Sequence, residues 1–407
     1  MKKIANCLFV AVFVLSLITI FTAVVSADSY TGDTENFVYE VNADGETIKI
    51  TDYIGSVDYL TVPSTIDGYD VTVIASNAFL DCTTLKGLII PDSVDTIENS
   101  AFKNVSSLEE LTVPFVSNTI TSDVSGTDFG ILFGGSSSGY LPETLEKVTI
   151  TKATMIPKDA FSGCSKIKTI ILPETLTSIG SKAFYYCTAL SYDINFPSGV
   201  TEIGSQAFYN CAGLTGALTL PSGLTTIENN VFDGCKGLFG SITIPDGVTS
   251  IGSNAFYNCS GLIGNLVFPE TVRTIGDNAF RGCVGITSIY IPDSVTTIGN
   301  TVFGGLTAVE EITMPFVGKT ATTDTLGVDF AMHFGGSSGS YVPTTLKKVT
   351  ITDTDFIPND AFKDCKYIET IIIPETITKI GNYALIPIDV ISSNKRLLDN
   401  SRHPEKA

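Results

Sequence analysis

The residues best suited to chemistry are eight cysteines that recur at one position of a repeated sequence unit. They are Cys82, Cys164, Cys187, Cys211, Cys235, Cys259, Cys283 and Cys365. An even number of cysteines favours a disulfide framework in an exported chain. However, equivalent positions in stacked units project their side chains in parallel, which is poor geometry for a disulfide. We therefore favour a ladder of buried thiols that pack as small apolar groups, with disulfide bridging as the alternative.

Metal binding and acid–base catalysis lack their usual residues in this sequence. There is no CxxC pair, and ligands arranged in one row cannot surround a tetrahedral zinc ion. The two histidines are His333 and His403, and the repeat places neither of them beside a nucleophile. Two carboxylates can hydrolyse a glycoside without histidine, but the acidic residues fall mostly in predicted turns. We expect no catalytic residues, no metal site and no cofactor.

One row of residues instead has the character of a binding surface. Each predicted strand directs one side chain outward between two inward ones. The candidate binding residues are Thr112, Thr149, Asn195, Thr219, Thr243, Val267, Tyr290 and Thr313, and the row continues with Ile89, Ile171, Thr350 and Ile372. Because the row is rich in threonine and uncharged, it suits hydrogen bonding and apolar contact with a neutral partner. The preference of these residue types for strands explains the row equally well.

These residues are positioned by a unit of 23 or 24 residues that recurs through most of the chain. Residues 167–187 read IKTIILPETLTSIGSKAFYYC, and residues 286–306 read ITSIYIPDSVTTIGNTVFGGL. Alternation at residues 289–291 predicts a short strand, Pro292 ends it, and Gly299 is expected to allow a sharp turn. One phenylalanine per unit is predicted to form a core row: Phe79, Phe102, Phe161, Phe184, Phe208, Phe232, Phe256, Phe280, Phe303 and Phe362.

The consensus L-x-x-I-x-I-P-x-x-V-x-x-I-G-x-x-A-F-x-x-C covers roughly residues 61–385 and resembles the BspA-type (Treponema pallidum-type) leucine-rich repeat of bacterial surface proteins. The resemblance implies a leucine-rich repeat solenoid, a curved right-handed coil with a parallel β-sheet on its concave face. It also implies attachment to host cells and to matrix proteins such as fibronectin and fibrinogen, and aggregation between bacteria. No residue matches a mapped binding motif of the family, so the resemblance assigns no site.

The N-terminal part of the chain differs from the repeat. Residues 1–27 combine two early lysines with an apolar run and small residues before Asp28, which predicts a cleaved secretory signal peptide. An uncleaved membrane anchor is the alternative, because the apolar run is long enough to span a bilayer. Residues 28–60 are predicted to form an N-terminal cap with a β-hairpin, built from strands at 37–41 and 47–50 around a turn at 42–45.

Two insertions interrupt the predicted solenoid of residues 61–386. Residues 115–140 and 316–341 are similar to each other: both follow a proline, with which they read PFV, and both contain the letters FGGSS. Extra residues in repeat proteins often map to the binding face, so the insertions are expected either to flank the outward row as rims or to pack on the coil. Residues 387–407 are predicted to form a polar C-terminal tail.

The charge balance restricts the partners of this chain. The formal net charge is −19, and loss of the two leader lysines makes it more negative. Such a surface repels phosphate backbones, so we expect no nucleic-acid binding. We also expect no membrane span in the mature chain. The sequence thus predicts a non-catalytic, secreted or cell-surface protein that recognises an extracellular protein ligand, with a carbohydrate- or cell-wall-binding scaffold as the alternative.

Overall fold

The structure is a computed structural model that describes residues 34–118, 129–135, 137–191, 195–320, 329–336, 338–385 and 389–391. The predicted signal peptide and most of the predicted tail lie outside these residues. The chain winds into a parallel-strand β-solenoid of about 14 turns of about 23 residues, which confirms the predicted fold class. In the described residues no helix is long and apolar enough to cross a membrane.

One side of the solenoid, here called the strand face, carries the first strand of each coil. A five-stranded parallel sheet contains Tyr59–Thr61, Gly87–Ile89, Glu110–Val113, Lys147–Ile150 and Thr169–Ile171. A two-stranded pair follows, made of Gly216–Ala217 and Leu238–Phe239. A six-stranded sheet then contains Ile263–Val267, Gly285–Tyr290, Glu311–Met314, Lys348–Ile351, Thr370–Ile372 and Asp389–Ile391. The sheet therefore extends past residue 386, into the segment predicted as a polar tail.

A second ladder of two-residue strands runs along another side of the coils. Its parallel groups are Met155–Ile156, Ser178–Ile179 and Glu202–Ile203; then Thr226–Ile227, Ser250–Ile251, Thr274–Ile275 and Thr297–Ile298; then Phe356–Ile357 and Lys379–Ile380. In each of these strands the second residue is an inward isoleucine, as the period of the unit predicts.

A β-hairpin stands at the N-terminal end of the second ladder. Phe37–Val41 pairs antiparallel with Thr47–Tyr53, which in turn pairs parallel with Tyr69–Ile74. The same sheet includes Thr65–Ile66 and Thr96–Ile97, and a 3-10 turn at Thr34–Asn36 precedes it. The hairpin strands form where the alternation predicts them. That these strands cap the N-terminal end of the solenoid stays a prediction.

A continuous row of phenylalanine rings fills the core, as predicted. All ten repeat phenylalanines are at most 1% exposed. From Phe161 to Phe280, successive rings in adjacent coils stack with centroids 4.9 to 5.5 Å apart and are nearly parallel. Burying an aromatic ring stabilises the fold by roughly 1.5–3 kcal/mol, so each coil depends on its neighbours for much of its stability.

The described parts of the insertions continue this core row. The 3-10 turn Phe129–Phe133 places two rings between Phe102 and Phe161, with successive centroids 5.7, 5.6 and 4.9 Å apart. Phe330–Phe334 does the same in the second insertion. Shorter turns follow at Ser138–Tyr140 and Gly339–Tyr341. These parts pack on the coil, whereas residues 119–128 and 321–328 lie outside the described residues and the rim arrangement stays a hypothesis.

The glycine of the I-G pair has a different role from the one we expected. Gly299 lies between a strand and a turn but does not adopt a positive φ, so the turn does not depend on the conformational freedom of glycine at this position. A Cβ at Gly299 would lie only 2.5 Å from the backbone nitrogen of Asp277 in the neighbouring coil. Gly276 meets Ser253 at the same distance. Glycine is needed here because adjacent coils approach too closely for a side chain.

The positive φ angles occur instead on both sides of the core phenylalanine. Asn254 and Asn258 flank Phe256 with φ near 56° and 57°, and the other coils repeat the arrangement. Asparagine, aspartate and glycine tolerate this left-handed conformation better than other residues. This requirement explains the recurring N-A-F-x-N and G-C letters, which the sequence alone shows only as a pattern.

A candidate recognition surface on the strand face

The ends of the predicted row lie in register on the strand face. Thr112 is the partner of Thr149, and Val267, Tyr290 and Thr313 follow one another across adjacent strands. All of them are flanked along their strands by buried residues. Their side chains therefore point outward, as the alternation predicts.

The middle of the row is not a continuous ladder, contrary to our expectation. Asn195, Thr219 and Thr243 are exposed, but none of them lies in a strand. Coils in this region have one residue more than the 23-residue coils, and Gly216, Gly240 and Gly264 adopt positive φ at the added position. The register shifts next to the last of these glycines. An added residue that bulges in this way interrupts strand pairing.

The interruption leaves the inward side chains slightly less covered. Leu218, Leu220, Ile242 and Ile244 are 3 to 7% exposed, whereas Leu111, Val113, Ile312 and Met314 in the paired strands are at most 1% exposed. A groove of about 520 Å³ opens here, lined by residues of two adjacent coils that include Ile242, Thr243, Asn265 and Val267. The strand face is thus most open in its central coils.

The most exposed large apolar residues of this face lie beside the groove. Phe239, Ile263, Val267 and Tyr290 are 41 to 56% exposed. We call these four residues the apolar window. They form two neighbouring pairs, Phe239 with Ile263 and Val267 with Tyr290, at the two ends of the strand Ile263–Val267. Exposed apolar side chains of this size often mark a contact site for another protein.

Sequence reasoning found only half of the apolar window. Val267 and Tyr290 belong to the predicted row, whereas Phe239 and Ile263 were missed because they follow the first inward leucine of the coil. A signal was available, because other coils carry lysine or glutamate there: Lys86, Glu109, Glu146, Lys168, Glu310, Lys347 and Glu369. Two apolar residues at a position that is charged in most other coils, and Ser or Thr at residues 191, 215 and 287, indicate a local change in the surface.

Ion pairs occupy the strand face on both sides of the window. On the N-terminal side Lys147 pairs with Glu110 at 3.1 Å and Lys168 with Glu146 at 2.5 Å. On the C-terminal side the pairs are Lys348–Glu311 at 3.1 Å and Lys347–Glu369 at 3.3 Å. Such exposed pairs add little stability. Their effect is to place charges of both signs on either side of the apolar window.

A second groove joins the window to the C-terminal ion pairs. It has a volume of about 770 Å³, and its lining includes Asn265, Thr287, Ser288, Glu311 and Lys348. Next to it, desolvation raises the pKa of Tyr290, and the negative charge of Glu270 raises it further. The phenol is neutral at physiological pH and can act as a hydrogen-bond donor.

Seven of the eight repeat cysteines are buried free thiols and Cys82 is partly exposed, which agrees with the thiol ladder that we favoured. In five successive coils the Sγ atom donates to the carbonyl oxygen of the phenylalanine of the preceding coil, at 2.9 to 3.2 Å, through Cys187, Cys211, Cys235, Cys259 and Cys283. Burial raises the pKa of Cys211 and Cys283 to about 12. These thiols are protonated donors with a packing role, and poor nucleophiles.

His333 is a buried residue and does not face the strand-face site. Its Nε2 lies 2.8 Å from the Val317 carbonyl oxygen, and its Nδ1 has no partner among the described residues. Desolvation lowers the pKa of the ring, and the charge of Lys319 lowers it further. The equivalent residue of the first insertion is Leu132, which is also fully buried.

The described residues contain no group of three or more His, Cys, Asp or Glu side chains placed to hold a metal ion. The neutral, apolar and hydrogen-bonding groups gathered on the strand face can bind another molecule. They do not assemble a nucleophile with a base.

A model of the BspA type leucine rich repeat region matches residues 54–124, 140–263, 238–323 and 337–394, with six copies. A leucine-rich repeat protein from Bacteroides ovatus is 26% identical, with a TM-score of 0.49, over 88% of this chain and 79% of that one. A leucine rich cell surface protein from Faecalibacterium prausnitzii is 24% identical, with a TM-score of 0.32, over 90% and 96% of the two chains.

The leucine rich repeat protein of T. pallidum is 22% identical, with a TM-score of 0.26, over 68% of this chain and 88% of that one. No curated protein matches the chain.

Proposed function

The chain belongs to the BspA-type leucine-rich repeat family, and from this premise we propose that it is a non-catalytic recognition protein that binds an extracellular protein through the apolar window. The observation that carries the proposal is the exposure of Phe239, Ile263, Val267 and Tyr290 in three adjacent coils. Aromatic and aliphatic side chains of this kind supply most of the affinity of a protein interface when a partner desolvates them.

The surroundings of the window support a protein partner. An apolar centre with a polar, charged rim is the usual arrangement of a protein–protein interface. Here the rim carries both lysines and glutamates in exposed pairs. These charges favour a partner with complementary charges of both signs around an uncharged centre, and they select against partners that place like charges opposite them.

A secreted or cell-surface location fits the predicted signal peptide at residues 1–27. A cell-surface protein is among the similar solved structures. In such a location the proposed role is adhesion, to host or matrix proteins or to other cells. The grooves lined by Thr, Ser and Asn side chains favour a second candidate, a scaffold that binds carbohydrate or cell wall without catalysis.

A binding screen with window variants tests the proposal. The purified protein is passed over immobilised fibronectin, fibrinogen, laminin and collagen, and over neutral glycans, at physiological salt. Phe239→Lys and Ile263→Lys each place a charge in the proposed interface. We expect each to weaken binding of the protein ligand by at least about tenfold, or about 1.4 kcal/mol.

The matched control is Ile171→Lys, because Ile171 is an exposed apolar residue of the same face outside the window. Circular dichroism verifies that all variants fold. Binding that survives both window substitutions would place the interface elsewhere. Binding to glycans alone would favour the carbohydrate scaffold, and binding to no ligand would refute the adhesion role.

A further inference from the structure

Three tyrosines form an exposed cluster on the turns that follow the core phenylalanines. Tyr185 and Tyr186 lie in one coil and Tyr209 in the next. Ring centroids are 5.0 Å apart for Tyr185 and Tyr209, 4.7 Å for Tyr185 and Tyr186, and 5.5 Å for Tyr186 and Tyr209. We call these residues the tyrosine cluster. Their coils bring together side chains that lie up to 24 residues apart in the chain.

Tyr186 adopts a backbone conformation that the fold requires, but with a residue type that does not favour it. Tyr186 has φ of 57°, two residues after its core phenylalanine. Every other described coil with a positive φ at this position has aspartate, asparagine or glycine there: Asp81, Asn104, Gly163, Asn210, Gly234, Asn258, Gly282, Gly305 and Asp364. A bulky residue in this conformation is unfavourable, and such outliers concentrate at functional sites.

The same coil also has a residue other than Asn, Asp or Gly at its first positive-φ position. Lys182 has φ of 58° where Asn230, Asn254 and Asn278 stand in later coils, and Ser100, Gln206, Thr301 and Tyr383 are the other such residues at this position. Its ammonium group lies 5.6 Å from the centre of the Tyr185 ring. Two strained positions in one coil thus carry side chains of the same exposed cluster.

The geometry of the rings leaves much of one tyrosine, Tyr186, open to solvent. Tyr185 and Tyr209 are stacked at an interplanar angle of 18°, so they cover each other. Tyr186 lies against both rings at 65° and 49° and is 40% exposed. The part of Tyr186 that does not pack on this pair is open to solvent.

The polar groups around this open ring carry both charge signs. Lys182 contributes a cation, and the carboxylate of Asp233 in the next coil is near enough to Tyr209 to raise the pKa of that phenol. A flat ring face attracts polarised C–H groups, while phenol, ammonium and carboxylate groups hydrogen-bond to hydroxyls. This combination matches a neutral, hydroxyl-rich ring with one C–H face.

We propose that the tyrosine cluster is a saccharide-binding site, in which a sugar ring packs on the outer side of Tyr186 and hydrogen-bonds to Tyr209 and Lys182. The site is separate from the apolar window and takes a different class of ligand. It therefore does not depend on the function proposed above.

The test uses Tyr186→Asn, which removes the ring and restores the residue type that Asn210 and Asn258 provide in later coils. Binding is measured by titration with soluble oligosaccharides of glucose, galactose and N-acetylglucosamine, and tyrosine fluorescence is the readout because the chain has no tryptophan. We expect at least one of these sugars to bind and Tyr186→Asn to lose that binding by tenfold or more, while its melting temperature rises. Loss of binding in a more stable variant cannot be attributed to unfolding.

Tyr383→Asn is the matched control, because Tyr383 also has a strained φ of 56° but lies outside the cluster. The Tyr383→Asn variant should gain stability and keep wild-type sugar binding. Phe239→Lys, which changes the apolar window, should also keep wild-type sugar binding. Undiminished sugar binding by Tyr186→Asn would overturn the proposal. The proposal would also be overturned if none of the three sugars bound at millimolar concentration. It would be overturned as well if the tyrosine cluster bound a protein and no sugar.

Discussion

His333 is expected to make the folded protein sensitive to acid, and replacing it with leucine should remove that sensitivity. The substitution is conservative for packing, because Leu132 fills the equivalent buried position of the first insertion. It removes the hydrogen bond between Nε2 and the Val317 carbonyl oxygen. It also removes an Nδ1 atom that has no partner among the described residues.

The loss of stability at low pH follows from the direction in which folding shifts the pKa of His333. Burial lowers the pKa of folded His333 below the value of an exposed histidine, and the nearby charge of Lys319 acts in the same direction. Below about pH 6.5 the unfolded chain therefore binds a proton that the folded chain does not. Stability contributed by the neutral ring is complete above this pH. It falls by about 1.4 kcal/mol per pH unit while the folded ring stays neutral.

The assay is urea unfolding followed by circular dichroism at pH 8, 7, 6 and 5.5, with wild type and His333→Leu side by side. Carboxylates titrate equally in both proteins, so the difference in unfolding free energy isolates the histidine. We expect the two proteins to differ little at pH 8, and His333→Leu to gain an increasing advantage below pH 6.5. Leu132→His should show the opposite trend. A constant difference from pH 8 to 5.5 would refute this account.

Three further outcomes are expected. Gly276→Ala should destabilise the fold by about 1–3 kcal/mol in a urea titration, because its Cβ would lie 2.5 Å from the Ser253 backbone nitrogen; a stability equal to wild type would contradict this close approach. Thr301→Asn should stabilise by about 1 kcal/mol, because a β-branched residue there has φ of 54°; the melting temperature measures it, and a decrease would be inconsistent with backbone strain. A thiol reagent at pH 8 should modify Cys82 before Cys259, because Cys82 is partly exposed and Cys259 is buried. This order is expected although burial raises the pKa of Cys82 to about 11. Equal rates of modification in the folded protein would argue against the thiol ladder.

Much of the fold could be predicted because each coil repeats the same physical requirements. The positions of Phe256 and Cys259 in the core follow from their recurrence every 23 or 24 residues, and both are fully buried. The outward direction of Val267 and Tyr290 follows from strand alternation. The role of Gly299 could not be predicted, because its spatial neighbour is Asp277 in another coil.

The candidate site was only partly predictable for a related reason. Phe239 and Ile263 stand at a position that points outward, but whether they form one surface depends on how adjacent coils align. The added residue at Gly240 and Gly264 shifts that alignment and opens the strand face. A period of 24 instead of 23 is visible in the sequence, whereas its effect on pairing appears only in three dimensions.

The sequence by itself therefore determined the repeat, the composition of the core and the class of protein, because these depend on short-range periodicity within one coil. Tertiary structure decided where the strand sheet is interrupted, which lysines and glutamates pair, and which tyrosines meet. Those contacts join residues of adjacent coils, and a displacement of one residue changes them. Tyr186 illustrates the difference: its letter breaks a sequence pattern, but only the stacking of coils places it against Tyr209.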